Sequence, residues 1–299
     1  MTKNLIDKLE NRINNKLNLA PIFHNDENET ILKNFLHSQT YLKPNKILSI
    51  ININFLKKSP IGYVLYENKK KIVGFLGTIF SERKIGDKII SHCYLHSWIV
   101  DSNFRTQAFR LIMPILKNKM FISTYSPIKS LEGLYKKLEF EEKTFYSKLI
   151  FSFPLKSLNQ KKINVSENHT FFFNALSNDL KQIYKDHSSL NNNIMFVYFN
   201  NNIKDNILII VKKKYKKLFL PVVEIIYCSN FIKFRENKKN ISFELFKRFK
   251  TPLFIESFFN EDSILFKNDF LKIGTQKKVY YKNIPENFKL DFLYSELLD

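Results

Sequence analysis

Gly62-Tyr63-Val64-Leu65-Tyr66, then Glu67-Asn68-Lys69-Lys70-Lys71, then Ile72-Val73-Gly74-Phe75-Leu76-Gly77-Thr78-Ile79-Phe80 is an apolar run, a charged break and a second apolar run. Short stretches rich in β-branched and aromatic residues on either side of a polar break predict strand, turn, strand. Past Gly86-Asp87 a third strand is expected from Lys88 toward Val100. Helical spacing returns over residues 104–117 through Leu111, Ile112, Ile115 and Leu116. Pro114 lies within that run and predicts a kink or a short helix, because proline lacks the backbone donor and crowds the preceding turn. Residues 120–124 read as a short strand, and Ser126-Pro127 opens a turn. Leu131, Leu134, Tyr135 and Leu138 then form a helical stripe, and residues 144–153 one more strand. The order strand, strand, strand, helix, strand, helix, strand predicts an α/β fold (α+β, with a mixed sheet).

Upstream, Leu5, Leu9, Ile13 and Leu17 recur every four residues and predict an amphipathic helix over 3–18. The polar stretch Asp26 to Glu29 offers a start for a helix through Ile31, Leu32, Phe35 and Leu36, and another is expected over 47–56. Downstream, the same plan recurs more faintly. A helix is expected over 176–186, strands over 194–199, 206–211 and 218–228, a helix over 242–249, a strand over 252–257 and a final segment over 266–281. Leu134-Tyr135-Lys136-Lys137 before Phe140 is echoed by Leu265-Phe266-Lys267-Asn268 before Phe270, which points to an internal duplication.

The chain has 299 residues, 44% of them hydrophobic, with 30 Phe and 14 Tyr, enough for two packed domains. Its 48 Lys and Arg against 28 Asp and Glu give a net charge of +20, which favours anionic partners. The lysines are spread along the chain, however, so most of the charge reads as solvated surface. Two cysteines, Cys93 and Cys228, are too few for a disulfide framework and lack zinc-site spacing, so a reducing cytoplasm is expected. No run approaches a membrane span, and Met1 to Asn18 lacks the apolar centre of a signal peptide. There is no GxxxxGK[ST] loop, GxSxG elbow, HExxH or CxxC, which removes the groups that nucleotide hydrolysis, serine hydrolysis and common zinc sites need.

The segment Trp98-Ile99-Val100-Asp101-Ser102-Asn103-Phe104-Arg105-Thr106-Gln107-Ala108-Phe109-Arg110-Leu111 resembles the acyl-CoA signature of the GNAT superfamily. In that signature a strand ends in Val and an Arg/Gln-x-x-Gly-x-Gly/Ala turn opens a helix. Ala108 and Arg110 stand where the superfamily has Gly and Gly or Ala. Leu134-Tyr135-Lys136-Lys137-Leu138-Glu139-Phe140 is similar to its last helix, Leu-Tyr-x-x-Leu-Gly-Phe, with Glu139 in place of the glycine.

The resemblance implies two tandem GNAT-like domains. Residues 1–155 would carry a helical N-terminal extension and the acyl-CoA site, and residues 156–299 would be a degenerate copy without a glycine-bearing phosphate turn. It implies that Val100, Arg105, Thr106, Gln107, Ala108, Phe109 and Arg110 hold acetyl-CoA or another acyl-CoA, through amides at a helix N-terminus. It also implies that Tyr135 protonates the departing thiolate. The base is expected on the third strand, where His92 and His96 share a face, and His96 is preferred. Both histidines, like Tyr135, could instead be packing residues. Glu224 on the equivalent strand of the second half could reach an acceptor or pair with a lysine. The expected partners are an acyl-CoA and a small acceptor, an amino sugar or surface-polysaccharide precursor. The alternatives are a binding protein for RNA or a protein partner, and aminoacyl transfer from tRNA.

Overall fold

The structure is a computed structural model that describes residues 17–53, 55–68, 71–85, 87–125, 127–152, 163–166, 173–188, 193–199, 202–215, 221–250, 253–260, 271–286, 288 and 290–294. The chain divides into two compact units, one of Met1–Glu142, Lys278–Lys289 and Tyr294–Asp299, the other of Lys143–Lys277 and Leu290–Leu293. The chain thus changes unit at Glu142/Lys143, earlier than a cut at 155, and returns to the first unit near its end.

In the first unit, β1 (Leu17–Ile22) pairs antiparallel with β2 (Gly62–Glu67), from Leu17↔Glu67 to Ile22↔Gly62. Leu17 and Asn18, expected to end a helix, open this strand instead, and the rest of that expected helix lies outside the described residues. β1 is the edge strand, where Pro21 can sit without interrupting a ladder on both sides. Two helices connect it to β2. In α1 (Glu29–His37) Leu32, Phe35 and Leu36 are buried, and in α2 (Pro44–Asn52) Ile47, Ile50 and Ile51 are. β2, β3 (Lys71–Ile85) and β4 (Lys88–Val100) form the antiparallel meander expected from the apolar runs.

The segment expected to be one helix over 104–117 is two pieces. Ser102–Leu111 is a 3-10 helix, and α3 (Met113–Lys117) is a single short turn with Pro114 near its start. Proline in the first turn removes no intrahelical hydrogen bond, so the break falls just before it. β5 (Phe121–Thr124) then runs parallel to β4, and α4 (Glu132–Lys137) follows a 3-10 turn at Lys129–Leu131. One face of the sheet buries Leu65, Val73, Leu76, Cys93, Leu95 and Ile122 under Leu111, Ile112, Ile115, Tyr135 and Leu138.

In the second unit, β6 (Glu141–Ser152), β7 (Ile163–Ser166), β8 (Asn193–Phe199), β9 (Asn202–Tyr215), β10 (Pro221–Cys228) and β11 (Leu253–Asn260) lie in the order β7-β8-β9-β10-β11-β6. α5 (Asn178–Ser188) precedes β8, while α6 (Phe231–Glu236) and α7 (Lys238–Phe249) lie between β10 and β11. Met195, Val197, Ile207, Ile209, Val223 and Ile225 pack against Phe234, Ile241 and Leu245. The sequence anticipated α5 and α7 closely but neither β7 nor α6. Glu224 takes the lysine-paired role, buried and 2.5 Å from Lys214 Nζ. Residues 265–270, which carried the internal echo, lie outside the described residues.

β12 (Leu271–Lys282) ends in the first unit, where Tyr280, Tyr281 and Lys282 pair antiparallel with Thr124, Ser123 and Ile122 of β5. Tyr280 stacks on Tyr135 with ring centroids 5.3 Å apart and donates to Glu142 Oε2 at 2.6 Å.

Candidate functional site

The β4–β5 ladder is short. His92, Cys93 and Tyr94 match Phe121, Ile122 and Ser123, and there the pairing stops, although β4 continues to Val100. On its other side β4 carries a bulge. Gly77 matches His96 and Phe75 matches Ile99, so Ser97 and Trp98 together face Leu76. Ser97 has φ 47°, in the left-handed region, and an extra residue of this kind bends the strand. The bend carries the end of β4 away from β5 and leaves the β5-facing backbone of Leu95 to Trp98 without a strand partner.

A cavity of about 260 Å³ occupies this split. Leu95, His96, Ser97, Trp98 and Ile99 line it from β4, Thr124 and Tyr125 from the end of β5, Leu131 and Tyr135 from the 3-10 turn and α4, and Tyr41, Leu42 and Lys46 from the α1–α2 region. The split joins both faces of the sheet. Tyr135 is in the core under α4, whereas Lys46 comes from the helical side.

His96 and Tyr135, far apart in sequence, therefore meet at one cavity. Tyr135 is 2% exposed, hydrogen-bonds the Thr124 side chain and meets Trp98 edge to face at 5.9 Å. Burial raises its hydroxyl pKa well above the usual tyrosine range, so it stays protonated at neutral pH. His96 hydrogen-bonds the backbone of Thr78, which supports its protonated form, but lost hydration and the nearby Lys46 cation outweigh this and pull its pKa down to about 3. It is a neutral imidazole, and its Nδ1, like Trp98 Nε1, has no hydrogen-bond partner. Such buried polar atoms cost free energy unless a ligand or water meets them.

Gly77 makes room for this histidine, since a Cβ there would fall inside the His96 ring. Gly77→Ala is expected to destabilise the first unit by about 1–3 kcal/mol, the usual cost of overpacking. Adding His96→Ala should recover most of that loss, because the two effects share one clash. Urea unfolding of the single and double variants measures it, and no recovery would show that the ring is not the obstacle.

The remaining expected residues lie apart from the cavity. His92 is fully buried, stacked on Phe121 at 3.8 Å, with Nε2 2.7 Å from Ser123 Oγ, a packing role. Val100 and residues 105–110 do not line the cavity. Arg105 and Thr106 are exposed, Ala108 is half-buried, and Gln107, Phe109 and Arg110 are buried. Arg110 does not point to solvent. Its Nη2 donates to the Leu17 carbonyl at 3.0 Å, tying the 3-10 segment to the edge strand.

Residues 105–110 lie inside the 3-10 helix, where i→i+3 hydrogen bonds occupy the amides. These residues lie within a 3-10 helix rather than at the N-terminus of an α-helix, where the resemblance placed them. Side chains alone, with Arg105 foremost, could meet phosphates on this segment.

Sequence reasoning missed Tyr41, Lys46, Tyr94, Thr124 and Tyr125. Only Thr124, at the end of an expected strand, carried a local signal. Among the described residues no three His, Cys, Asp or Glu side chains are grouped as a metal site would need.

Solved structures with the same fold exist. A GCN5-related N-acetyltransferase from Anabaena variabilis superposes with TM-score 0.61 at 11% identity, covering 88% of this chain and 72% of that one. A putative acetyltransferase from Pyrococcus horikoshii superposes at 0.53 and 13%, covering 95% of both chains. The chain has the GNAT fold. Saccharomyces cerevisiae N-myristoyltransferase with bound myristoyl-CoA, at TM-score 0.50 and 8% identity, covers 91% of this chain and 84% of that one. No protein-family model and no curated protein matches the sequence. At these identities the GNAT fold is shared while the residues at the site are this chain's own. No helix among the described residues is long and apolar enough to cross a membrane.

Proposed function

We propose that the first unit is an acyl-CoA-dependent acyltransferase, moving an acetyl or other acyl group to an amine or hydroxyl. The split between β4 and β5, with a cavity running through it, carries this reading. Paired strands stand about 4.8 Å apart, so a gap opened beyond Tyr94↔Ser123 suits a thin pantetheine arm that no globular ligand would need. The myristoyl-CoA bound by the yeast neighbour supports the same use of the fold.

In this reading the acceptor attacks the thioester carbonyl directly. The acyl carbon–oxygen or carbon–nitrogen bond forms, the carbon–sulfur bond breaks, the thiolate takes the Tyr135 proton, and the proton lost by the attacking group returns to the Tyr135 phenolate through solvent in the cavity. His96 Nδ1 accepts a hydrogen bond from the attacking group and orients it. Arg105 and Thr106 meet the cofactor phosphates, while Gln107, Ala108, Phe109 and Arg110 fix the segment that follows Val100. An amino sugar or surface-polysaccharide precursor is the acceptor class proposed.

The second unit, Lys143–Lys277 with Leu290–Leu293, is proposed to be a degenerate tandem copy, a boundary shifted from the expected division into 1–155 and 156–299. Both units place a helical connection after the first strand, a three-strand meander, then a parallel pair, and β10 also carries a bulge just past its parallel pairing, between Ile225 and Tyr227. Residues 229–240 hold no glycine and form α6 and the start of α7 rather than a phosphate turn.

Calorimetric titration with acetyl-CoA and desulfo-CoA tests the reading. One site per chain is expected, and Arg105→Ala should weaken it about tenfold, the value of a charge-assisted hydrogen bond. No binding of either ligand would overturn it. A second reading, a GNAT-fold binding protein for nucleic acid, is favoured by the occupied amides of residues 105–110 and the charge of +20. Steeply salt-dependent RNA binding without CoA binding would establish it.

A further inference from the structure

The acceptor side of the cavity has a charge balance that constrains what can react there. Lys46 is the one charged side chain among the described residues that line it, and no Asp or Glu does so. Lys46 is half-buried, and no described carboxylate pairs with it. A lysine on a cavity wall that carries no counter-ion gains most from an anionic ligand. Tyr41, Tyr94 and Tyr125 line the same cavity, flat surfaces with polar edges that suit a small ring or planar body.

An alkylamine acceptor would arrive as an ammonium and would have to shed its proton before attacking. The wall offers it no carboxylate, Lys46 repels it, and His96, held neutral, is far too weak a base to take a proton from a group of pKa about 10. What His96 Nδ1 can do is accept a hydrogen bond from an O–H or from an N–H that is already uncharged.

We infer that the acceptor is an anionic small molecule, bearing a phosphate or carboxylate, whose attacking group is a hydroxyl or a weakly basic amine, with Lys46 as its anion contact. This rests on the acyl-transfer reading of the same cavity. It makes Lys46 a specificity-determining residue on the acceptor side, distinct from Arg105 on the cofactor side.

The test uses the full chain and probes that differ by one anionic group: glucosamine against glucosamine 6-phosphate, and 4-aminobenzyl alcohol against 4-aminobenzoate, with 1,4-diaminobutane as the dicationic control. CoA release from acetyl-CoA is followed, and binding of the two anionic probes to protein saturated with desulfo-CoA is measured by calorimetry. At least one anionic probe is expected to bind and to exceed its neutral counterpart tenfold or more in kcat/KM, and the diamine to be the poorest acceptor. Lys46→Gln should erase the anion preference while leaving desulfo-CoA affinity within about twofold, whereas Lys84→Gln, an exposed lysine on β3, should change neither.

The inference fails if neither anionic probe binds, if the diamine is the best acceptor, or if the preference survives Lys46→Gln. It also fails if Lys46→Gln weakens desulfo-CoA instead, which would assign the lysine to the cofactor phosphates. Absence of desulfo-CoA binding to the unaltered chain is a separate result, and sinks the acyl-transfer reading itself.

Discussion

Tyr135→Phe is expected to lower kcat for acyl transfer by about 10²-fold or more, the usual contribution of a positioned proton donor. KM for the acyl-CoA should stay within a few fold. The phenol stands at the split, buried and protonated, with a hydrogen bond to Thr124. Phenylalanine keeps the stacking on Tyr280 and the edge contact with Trp98, so it removes the proton and little else. Loss of the hydroxyl leaves Thr124 one partner short and should cost about 1 kcal/mol of stability. Steady-state kinetics beside urea unfolding separates the two effects. A variant with unchanged kcat but lowered stability would make Tyr135 a packing tyrosine, the alternative its helical spacing always allowed.

The first unit is also expected to lose about 2 kcal/mol or more of stability between pH 7 and pH 5. His92 and His96 are both held neutral in the fold. Burial is the main cause for each, with Arg83 adding to it at His92 and Lys46 at His96. The sign follows from proton counts. In the unfolded chain each imidazole titrates near 6.5, while in the folded one it stays unprotonated down to much lower pH. The unfolded state therefore binds more protons below 6.5, and stability falls as pH falls. For His96, whose folded pKa is about 3, the loss is about 1.4 kcal/mol per pH unit below 6.5, or about 2 kcal/mol at pH 5, and His92 adds to it in the same direction.

Trp98 is the only tryptophan and lies in the first unit, so its fluorescence during urea unfolding reports on that unit. His92→Phe and His96→Phe should each reduce the pH slope, whatever they do to stability at pH 7. Slopes unchanged in both variants would falsify the assignment.

The comparison of sequence with structure divides by range of interaction. The meander β2-β3-β4 was legible because alternation and turn chemistry are local, and each apolar run faces a core it cannot avoid. α4 and its tyrosine were legible for the same reason. Leu17 was misassigned because spacing by four suits a helix, whereas its place is set by pairing with Glu67, fifty residues away. Residues 105–110, with Ala108 and Arg110 in place of glycines, lie in a 3-10 helix, a conformation the resemblance did not imply. A side chain at 110 had somewhere better to go, the Leu17 carbonyl, and the segment closed into a 3-10 helix.

By itself the sequence determined the mixed α/β class, the order of the elements from β2 to α4, and two residues, His96 and Tyr135, that come to one site. Their places on a strand and a helix were readable because residue type and local periodicity are properties of a short stretch of chain. Only the tertiary structure decided where β4 parts from β5, since a bulge at Ser97 and Trp98 exists only relative to the strand it is out of register with. It alone brought Lys46, Tyr94, Thr124 and Tyr125 around the gap, and it returned residues 280–282 to the edge of β5, a hydrogen-bonded edge that any strand of the chain could in principle have filled.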